Sequence, residues 1–184
     1  MKRNSMIGTI LVLVLVAIMF TPAVSMAAVR MFVYIGAIPG ESTDLRHKDW
    51  IEGIGYGEGI LVPVSSTGGG VIGRPEVAPL KIMKFLDRAS PKLRDYLVDG
   101  RVIKSVRIEF WTDGEVSNII SRIELFEARI VEVSTTLANG SPDRPQELVA
   151  FDFPRIRWTY WWYKPDGSVG GTVVAEYVLS GGGM

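Results

Sequence analysis

Apolar and polar residues alternate with a period of two through most of this chain, and one helical period interrupts them. Strand signals cover Met31 to Ile38, Trp50 to Val64, Ala78 to Leu86, Val102 to Trp111, Ile119 to Val133, Leu148 to Tyr163 and Thr172 to Leu179, with turn residues between them. In Val102 to Phe110 the apolar Val102, Val106, Ile108 and Phe110 alternate with Ser105, Arg107 and Glu109, and Lys104 is the polar residue expected on the apolar face. The interruption is Lys84 to Gly100 (KFLDRASPKLRDYLVDG), where Ser90 suits the N-cap, Pro91 the first helical position and Gly100 the residue past the end. Leu93, Tyr96 and Leu97 then share one face. A lone helix with one apolar stripe cannot make a bundle, so it must lie on a sheet or plug the end of a barrel.

The two longest strands change phase. Ile123 and Leu125 are odd, whereas Phe126, Ala128 and Ile130 are even; the same slip separates Phe151 and Phe153 from Ile156, Trp158 and Tyr160. Bulges or sharp bends are therefore expected near Leu125 and Pro154, and they let a strand turn a corner and close a small barrel or an orthogonal sandwich. The fold class is mainly β with one short helix. Two connections are long, Pro63 to Arg74 and Thr135 to Gln146, and Lys164 to Ser168 (KPDGS) is a strong turn.

The first residues follow a different rule. Lys2 and Arg3 precede an apolar run from Met6 to Phe20 that ends in small residues at Ser25 and Ala27, the pattern of a secretory leader cut after Ala27. The run is shorter than the roughly 20 residues of a spanning helix, so no stable membrane anchoring is expected after cleavage. The mature part, residues 28–184, is expected to form one domain, secreted or periplasmic. Basic and acidic residues number 20 each, and loss of Lys2 and Arg3 leaves a net charge of −2. No basic run marks a nucleic-acid partner. With no cysteine in the chain, disulfides, thiol nucleophiles and cysteine-bound metals are excluded.

Candidate chemistry is sparse. His47 is the single histidine, set among Asp44, Arg46, Lys48 and Asp49, and a turn-stabilising or surface role fits it better than catalysis. Ser42, Asp44 and His47 lie in one turn with nothing to build an oxyanion hole. The glycine-rich stretch Thr67 to Arg74 lacks the Lys-Ser/Thr ending and the helix of a phosphate loop. Glu109, Glu124, Glu127 and Glu132 are expected at exposed strand positions, interleaved with Arg107, Arg122 and Arg129. In Trp158 to Tyr163 (WTYWWY), alternation sends Trp158, Tyr160 and Trp162 to the core. It leaves Trp161 and Tyr163 outside, as an expected subunit interface or, in the alternative reading, the platform of a secreted monomeric module for a glycan or protein. No catalytic residue, cofactor or metal is expected.

Read in order, Gly40-Glu41-Ser42, Asp44, His47, Trp50-Ile51, then Phe85-Leu86-Asp87 with Ser90-Pro91-Lys92-Leu93, then Glu147 to Tyr160 (ELVAFDFPRIRWTY) and Asp166-Gly167-Ser168 resemble the Hcp family, the haemolysin-coregulated tube proteins of type VI secretion. The resemblance spans nearly all of Met31 to Ser180. It implies a compact β-barrel of two sheets with one flanking helix, forming homohexameric rings that stack into tubes, with effector or sheath proteins as further partners. It also implies that the loop after the second strand, Ser65, Ser66, Thr67, Gly68, Gly69, Gly70, Val71 and Ile72, reaches the next ring. In such a ring Arg155 and Arg157 are expected to pair across subunits beside Trp161 and Tyr163. The leader is a departure, because Hcp proteins of working type VI systems are loaded from the cytoplasm without one.

Overall fold

A computed structural model describes residues 28–64, 68, 70, 73–114, 117–137 and 144–179. Along these residues run β1 (Val29–Ile35), β2 (Ile51–Gly57), β3 (Ile60–Leu61), β4 (Glu76–Val77), β5 (Leu80–Phe85), α1 (Ser90–Val98), β6 (Val102–Thr112), β7 (Ile119–Thr136), β8 (Gln146–Asp152), β9 (Arg155–Tyr163) and β10 (Val169–Val178). The main sheet has the order β10-β9-β7-β6-β1-β2-β5-β8, and a further pairing of β7 with β8 closes six of these strands into a barrel. β9 and β10 stay outside the closure as a ribbon attached to β7, and β3 and β4 form a separate two-stranded projection.

The closure is made at the phase slip expected near Leu125. β7 pairs with β6 along one edge; along the other it pairs with β9 through Ser121–Phe126 and with β8 through Arg129–Thr136. Between the two partners Glu127 adopts φ 53°, a left-handed conformation rare outside glycine. Leu125 and Ala128 thereby both face the core. The opposite strand kinks in step: β6 buries Ile103 and then Val106, so Lys104 points to solvent instead of intruding on the apolar face. The second expected slip falls at Pro154, which separates β8 from β9 and whose carbonyl accepts the Leu179 N–H at 2.8 Å. Phe151, Phe153 and Ile156 are buried on either side of it.

The helix keeps to the stretch between Ser90 and Gly100 that its start and stop signals mark, and Lys84 and Phe85 belong to β5, within the expected strand Ala78 to Leu86. Pro91 sits in its first turn, and Gly100, at φ 61°, closes it with an N–H to the Leu97 carbonyl at 3.2 Å. Ser90 does not cap it; Asp87 Oδ1 accepts the Ala89 N–H at 2.9 Å, while the Ser90 hydroxyl turns inward. Leu93 is buried and Tyr96 and Leu97 pack against the core, the stripe expected of a helix laid against a barrel.

What fixes the helix there is ionic. Lys84 Nζ donates to Glu147 Oε2 at 2.8 Å, to Ser90 Oγ at 3.0 Å and to the Phe85 carbonyl at 2.8 Å, and lies 2.7 Å from Asp87 Oδ1. Glu147 also accepts from the Ser90 hydroxyl, the Arg94 guanidinium and Thr135 Oγ1. The Lys84 and Glu147 side chains are both 0% exposed. Burial acts to raise the Glu147 carboxyl, but hydrogen bonds from Lys84 and Ser90 and the charges of Lys84 and Arg94 hold it below its ordinary value. Glu147→Ala is expected to cost about 3–5 kcal/mol in urea denaturation, because it strands a buried ammonium. The double change Lys84→Met with Glu147→Leu should recover most of that loss.

Candidate functional site

The outer face of β1 and β6 is covered by the turn between β1 and β2. Ser42 and Asp49 close this turn, with Ser42 N–H to the Trp50 carbonyl and Asp49 N–H to the Ser42 carbonyl, both at 2.9 Å. Asp44 Oδ1 accepts from the backbone N–H groups of Arg46 and His47 at 3.0 and 3.2 Å. His47 is driven inward, stacked on Phe32 with ring centroids 4.0 Å apart and planes 4° from parallel, with the edges of Trp50 and Trp111 around it. Its Nδ1 lies 2.8 Å from Asp44 Oδ1 and its Nε2 3.0 Å from Glu109 Oε2. A ring carrying both protons donates to both carboxylates, whereas a neutral ring donates to one.

His47 thus has the turn-stabilising role expected of it, from a buried position. Glu109 contradicts its expected exposure: it is 4% exposed, held by His47, by the Trp111 indole N–H at 2.9 Å and by Arg122 Nε at 2.8 Å. Period-two reasoning placed Glu109 on the outer face correctly; the covering turn buries it. The available signal was Phe32, which makes Met31-Phe32-Val33 apolar on both faces of β1.

Beside the turn, a row of charges crosses the same outer face. Arg107 Nε meets Glu124 at 3.7 Å, Glu124 meets Arg157 at 3.8 Å, and Arg157 Nη2 meets Glu176 at 2.6 Å, with Arg155 3.5 Å from Glu176. The Arg155 guanidinium also lies over the Phe126 ring at 3.8 Å. Arg155 and Arg157, expected to pair across subunits, here find their partners within the chain. Such half-exposed pairs stabilise by about 0.2–1 kcal/mol each.

The aromatic run divides by face as alternation predicts, but exposure falls the other way. Ile156 and Trp158 face the core, with Trp158 Nε1 donating to Glu58 at 3.0 and 3.2 Å. Tyr160 and Trp162, on that same face, are 51% and 45% exposed because the ribbon runs past the end of the barrel. Trp161 and Tyr163, expected outside, are half-buried: Arg122 lies over Trp161 at 5.3 Å, and the Tyr163 hydroxyl donates to the Ile119 carbonyl at 2.8 Å. Alternation assigns a residue to a face; it does not say where the core beneath that face ends.

Of the expected ring-stacking loop, Gly68 and Gly70 are described and Ser65, Ser66, Thr67, Gly69, Val71 and Ile72 lie outside the described residues, as does Ala27. The base of that loop is the β3–β4 projection, where Ile60, Leu61, Val62 and Val64 are exposed. A cleft of about 700 Å³ opens where β1 and β2 part after three residue pairs, with Arg30, Tyr56, Phe110 and Arg144 in its walls. Arg30 is already paired with Asp44 and Glu52 at 3.5 and 3.2 Å. Among the described residues no group of three or more His, Asp or Glu side chains is placed to hold a metal ion, and no helix is long and apolar enough to cross a membrane.

The turn makes the outer face sensitive to acid. Burial acts to raise the Asp44 and Glu109 carboxyls, but hydrogen bonds from His47, with Trp111 and Arg122 at Glu109, hold both below their ordinary values of 3.8 and 4.5. A lowered carboxyl contributes stability that is present above its ordinary value and lost as pH falls through the lowered one. Glu109→Gln should therefore cost about 1–3 kcal/mol near neutral pH in urea denaturation, with the gap to wild type narrowing as the pH falls below the ordinary carboxyl value of 4.5.

Comparison with known proteins agrees with this architecture. Residues 32–160 match the family described as "Type VI secretion system effector, Hcp". The chain is 27% identical over 146 residues to "Protein hcp1" of Pseudomonas aeruginosa, covering 78% of this chain and 90% of that protein. Among solved structures, one described as "Structure of a type six secretion system protein" superposes with a TM-score of 0.77 at 26% identity, covering 83% of this chain and 96% of that one. Hcp1 from Salmonella typhimurium superposes with a TM-score of 0.66 at 23% identity, covering 84% and 96%, a likeness of fold. A six-stranded barrel with an outer ribbon and one helix, matched to a family over most of its length, leaves one assignment: the chain belongs to the Hcp family of type VI secretion system proteins.

Proposed function

We propose that this chain is a structural, non-enzymatic member of the family: six copies close into a ring, and rings stack into a tube. One observation carries the reading. β10 is ten residues long, pairs with β9 on one side only among the described residues, and exposes Val169, Val173, Val174 and Val178 across its two faces. Soluble monomers commonly blunt such an edge with lysine or proline, and β10 has neither, its one charged residue being Glu176. An edge of this kind is used safely when a closed symmetric assembly covers it.

Stacking is assigned to the β3–β4 projection and the Ser65 to Ile72 segment it carries. Its exposed Ile60, Leu61, Val62 and Val64 are suited to the apolar surface of a neighbouring ring. The mechanism is geometric, and effector or sheath proteins would be met by the ring as a whole. The apolar run Met6 to Phe20 supports export with removal of the leader at Ala27, to the periplasm or beyond.

Light scattering and negative-stain imaging of the mature protein test this. Hexamer-sized particles with a central hole are expected at micromolar concentration, and Val174→Lys with Val178→Lys should leave folded monomers. A wild-type chain that stays monomeric throughout would sink the reading. Mass spectrometry of the envelope fraction should find Ala28 as the first residue; intact Met1 there would remove the export half of the proposal.

A further inference from the structure

The cluster beneath the entry to α1 holds a nucleophile as well as an ion pair. Lys84 Nζ touches two carboxyl groups at once, 2.7 Å from Asp87 Oδ1 and 2.8 Å from Glu147 Oε2; the Lys84 and Glu147 side chains are fully buried and that of Asp87 is 9% exposed. Ser90 links the two acids. Its hydroxyl accepts the Asp87 N–H at 3.1 Å, donates to Glu147 Oε2 and lies 3.5 Å from Asp87 Oδ1. The two carboxyls are not equivalent. Glu147 is engaged through both oxygens, by Lys84 and Ser90 at Oε2 and by Arg94 and Thr135 at Oε1, which holds it as a carboxylate. Asp87 Oδ1 meets the Lys84 ammonium and the Ala89 N–H at 2.9 Å, whereas its Oδ2 has no hydrogen bond or ion pair among the described residues.

An ammonium and a carboxylate in contact are inert, but the shift of one proton turns them into an amine and a carboxylic acid. Glu147 is placed to carry that proton, taking it from Lys84 Nζ and passing it through the Ser90 hydroxyl to Asp87 Oδ1. Burial favours the neutral pair that results. The Lys84 lone pair then adds to Asp87 Cγ, and Oδ2 takes the developing negative charge. On collapse the Cγ–Oδ1 bond breaks, Nζ gives up a second proton that reaches Oδ1 by the same path, and one water leaves; Oδ2 remains as the amide oxygen. No oxidation state changes and no co-reactant enters. Asp87 also stands in the wall of the cleft between β1 and β2, which gives the water an exit. Charge balances throughout: Lys84 and Arg94 face Asp87 and Glu147 before the reaction, and Arg94 faces Glu147 after it. Groups held in contact in this way react at effective molarities of roughly 10⁵–10⁸ M.

We infer that the folded chain joins Lys84 Nζ to Asp87 Cγ in an amide, releasing one water, with Glu147 and Ser90 as the proton carriers. The ion cluster is the state from which the bond forms. The bond staples the end of β5 to the turn that enters α1, in a chain with no cysteine to do so. It forms within one chain and is independent of ring assembly.

Mass spectrometry tests it. Purified and fully denatured wild-type protein should be lighter than its sequence by the mass of one water. Trypsin does not cut after an acylated lysine, so it should release Ile82–Arg88 as a single peptide lacking one water, in place of Ile82–Lys84 and Phe85–Arg88. Lys84→Arg and Asp87→Ala should keep their full masses, and Glu147→Gln should form the linked species about 100-fold more slowly. Full mass in folded wild-type protein after prolonged incubation at neutral pH overturns the bond. So does a water loss that persists in Lys84→Arg, or a light species that trypsin still cuts after Lys84, either of which assigns the loss to a succinimide at an aspartate. Linkage at the wild-type rate in Glu147→Gln overturns the proton path. The deciding masses come from the wild-type chain, so a variant that fails to fold does not blunt the test.

Discussion

One break in strand phase, at Glu127, governs the shape of this molecule. A regular strand presents one edge to one neighbour along its whole length. The left-handed residue lets β7 give the first part of that edge to β9 and the second to β8. The second pairing closes the barrel; the first forces β9 and β10 to leave it. Closure and overhang are therefore one event. The strand with one free edge and the two exposed aromatic rings past the end of the core are what the closure leaves over. A non-glycine residue in this conformation costs of order 1 kcal/mol, small beside the core it allows to close.

Much of this was legible in the residues, and the parts that were not share a cause. The paired slips at Leu125 and Pro154 could be read because core positions jump from odd to even within a continuous apolar pattern. The helix could be read because proline and glycine bracket it. Lys84 and Glu147 could not, since each satisfies the other across 63 residues of sequence and neither local pattern mentions its partner. Glu109 was hidden for a related reason: its strand position is outward, and a turn from elsewhere in the chain decides that outward is not wet. Tyr160 and Trp162 were misjudged in the opposite sense, because an inward-facing position is buried only while the barrel still lies beneath it. Alternation is a local signal, whereas coverage is a property of the closed fold.

Two buried polar clusters divide the labour of holding that fold in register. Lys84 with Glu147 fastens α1 to β5 and β8, and His47 with Asp44 and Glu109 fastens the first long turn to β6. Replacing such groups with apolar residues can raise stability, so their presence is weak evidence of strength and better evidence of uniqueness. Each ties its element to the barrel by directional contacts that hydrophobic packing does not supply. For a subunit whose proposed work is to repeat identically around a ring, a single seating matters more than the last kcal/mol.

The row from Arg107 through Glu124 and Arg157 to Glu176 has a further meaning once its signs are read together. Four alternating charges on neighbouring strands cancel, each within 4 Å of an opposite, and Arg155 beside Glu176 leaves the row a single net positive charge. Seen from beyond a Debye length of roughly 8 Å, such a stripe is almost invisible. It is wettable without being sticky, and a charged macromolecule drifting past it meets neither a trap nor a barrier.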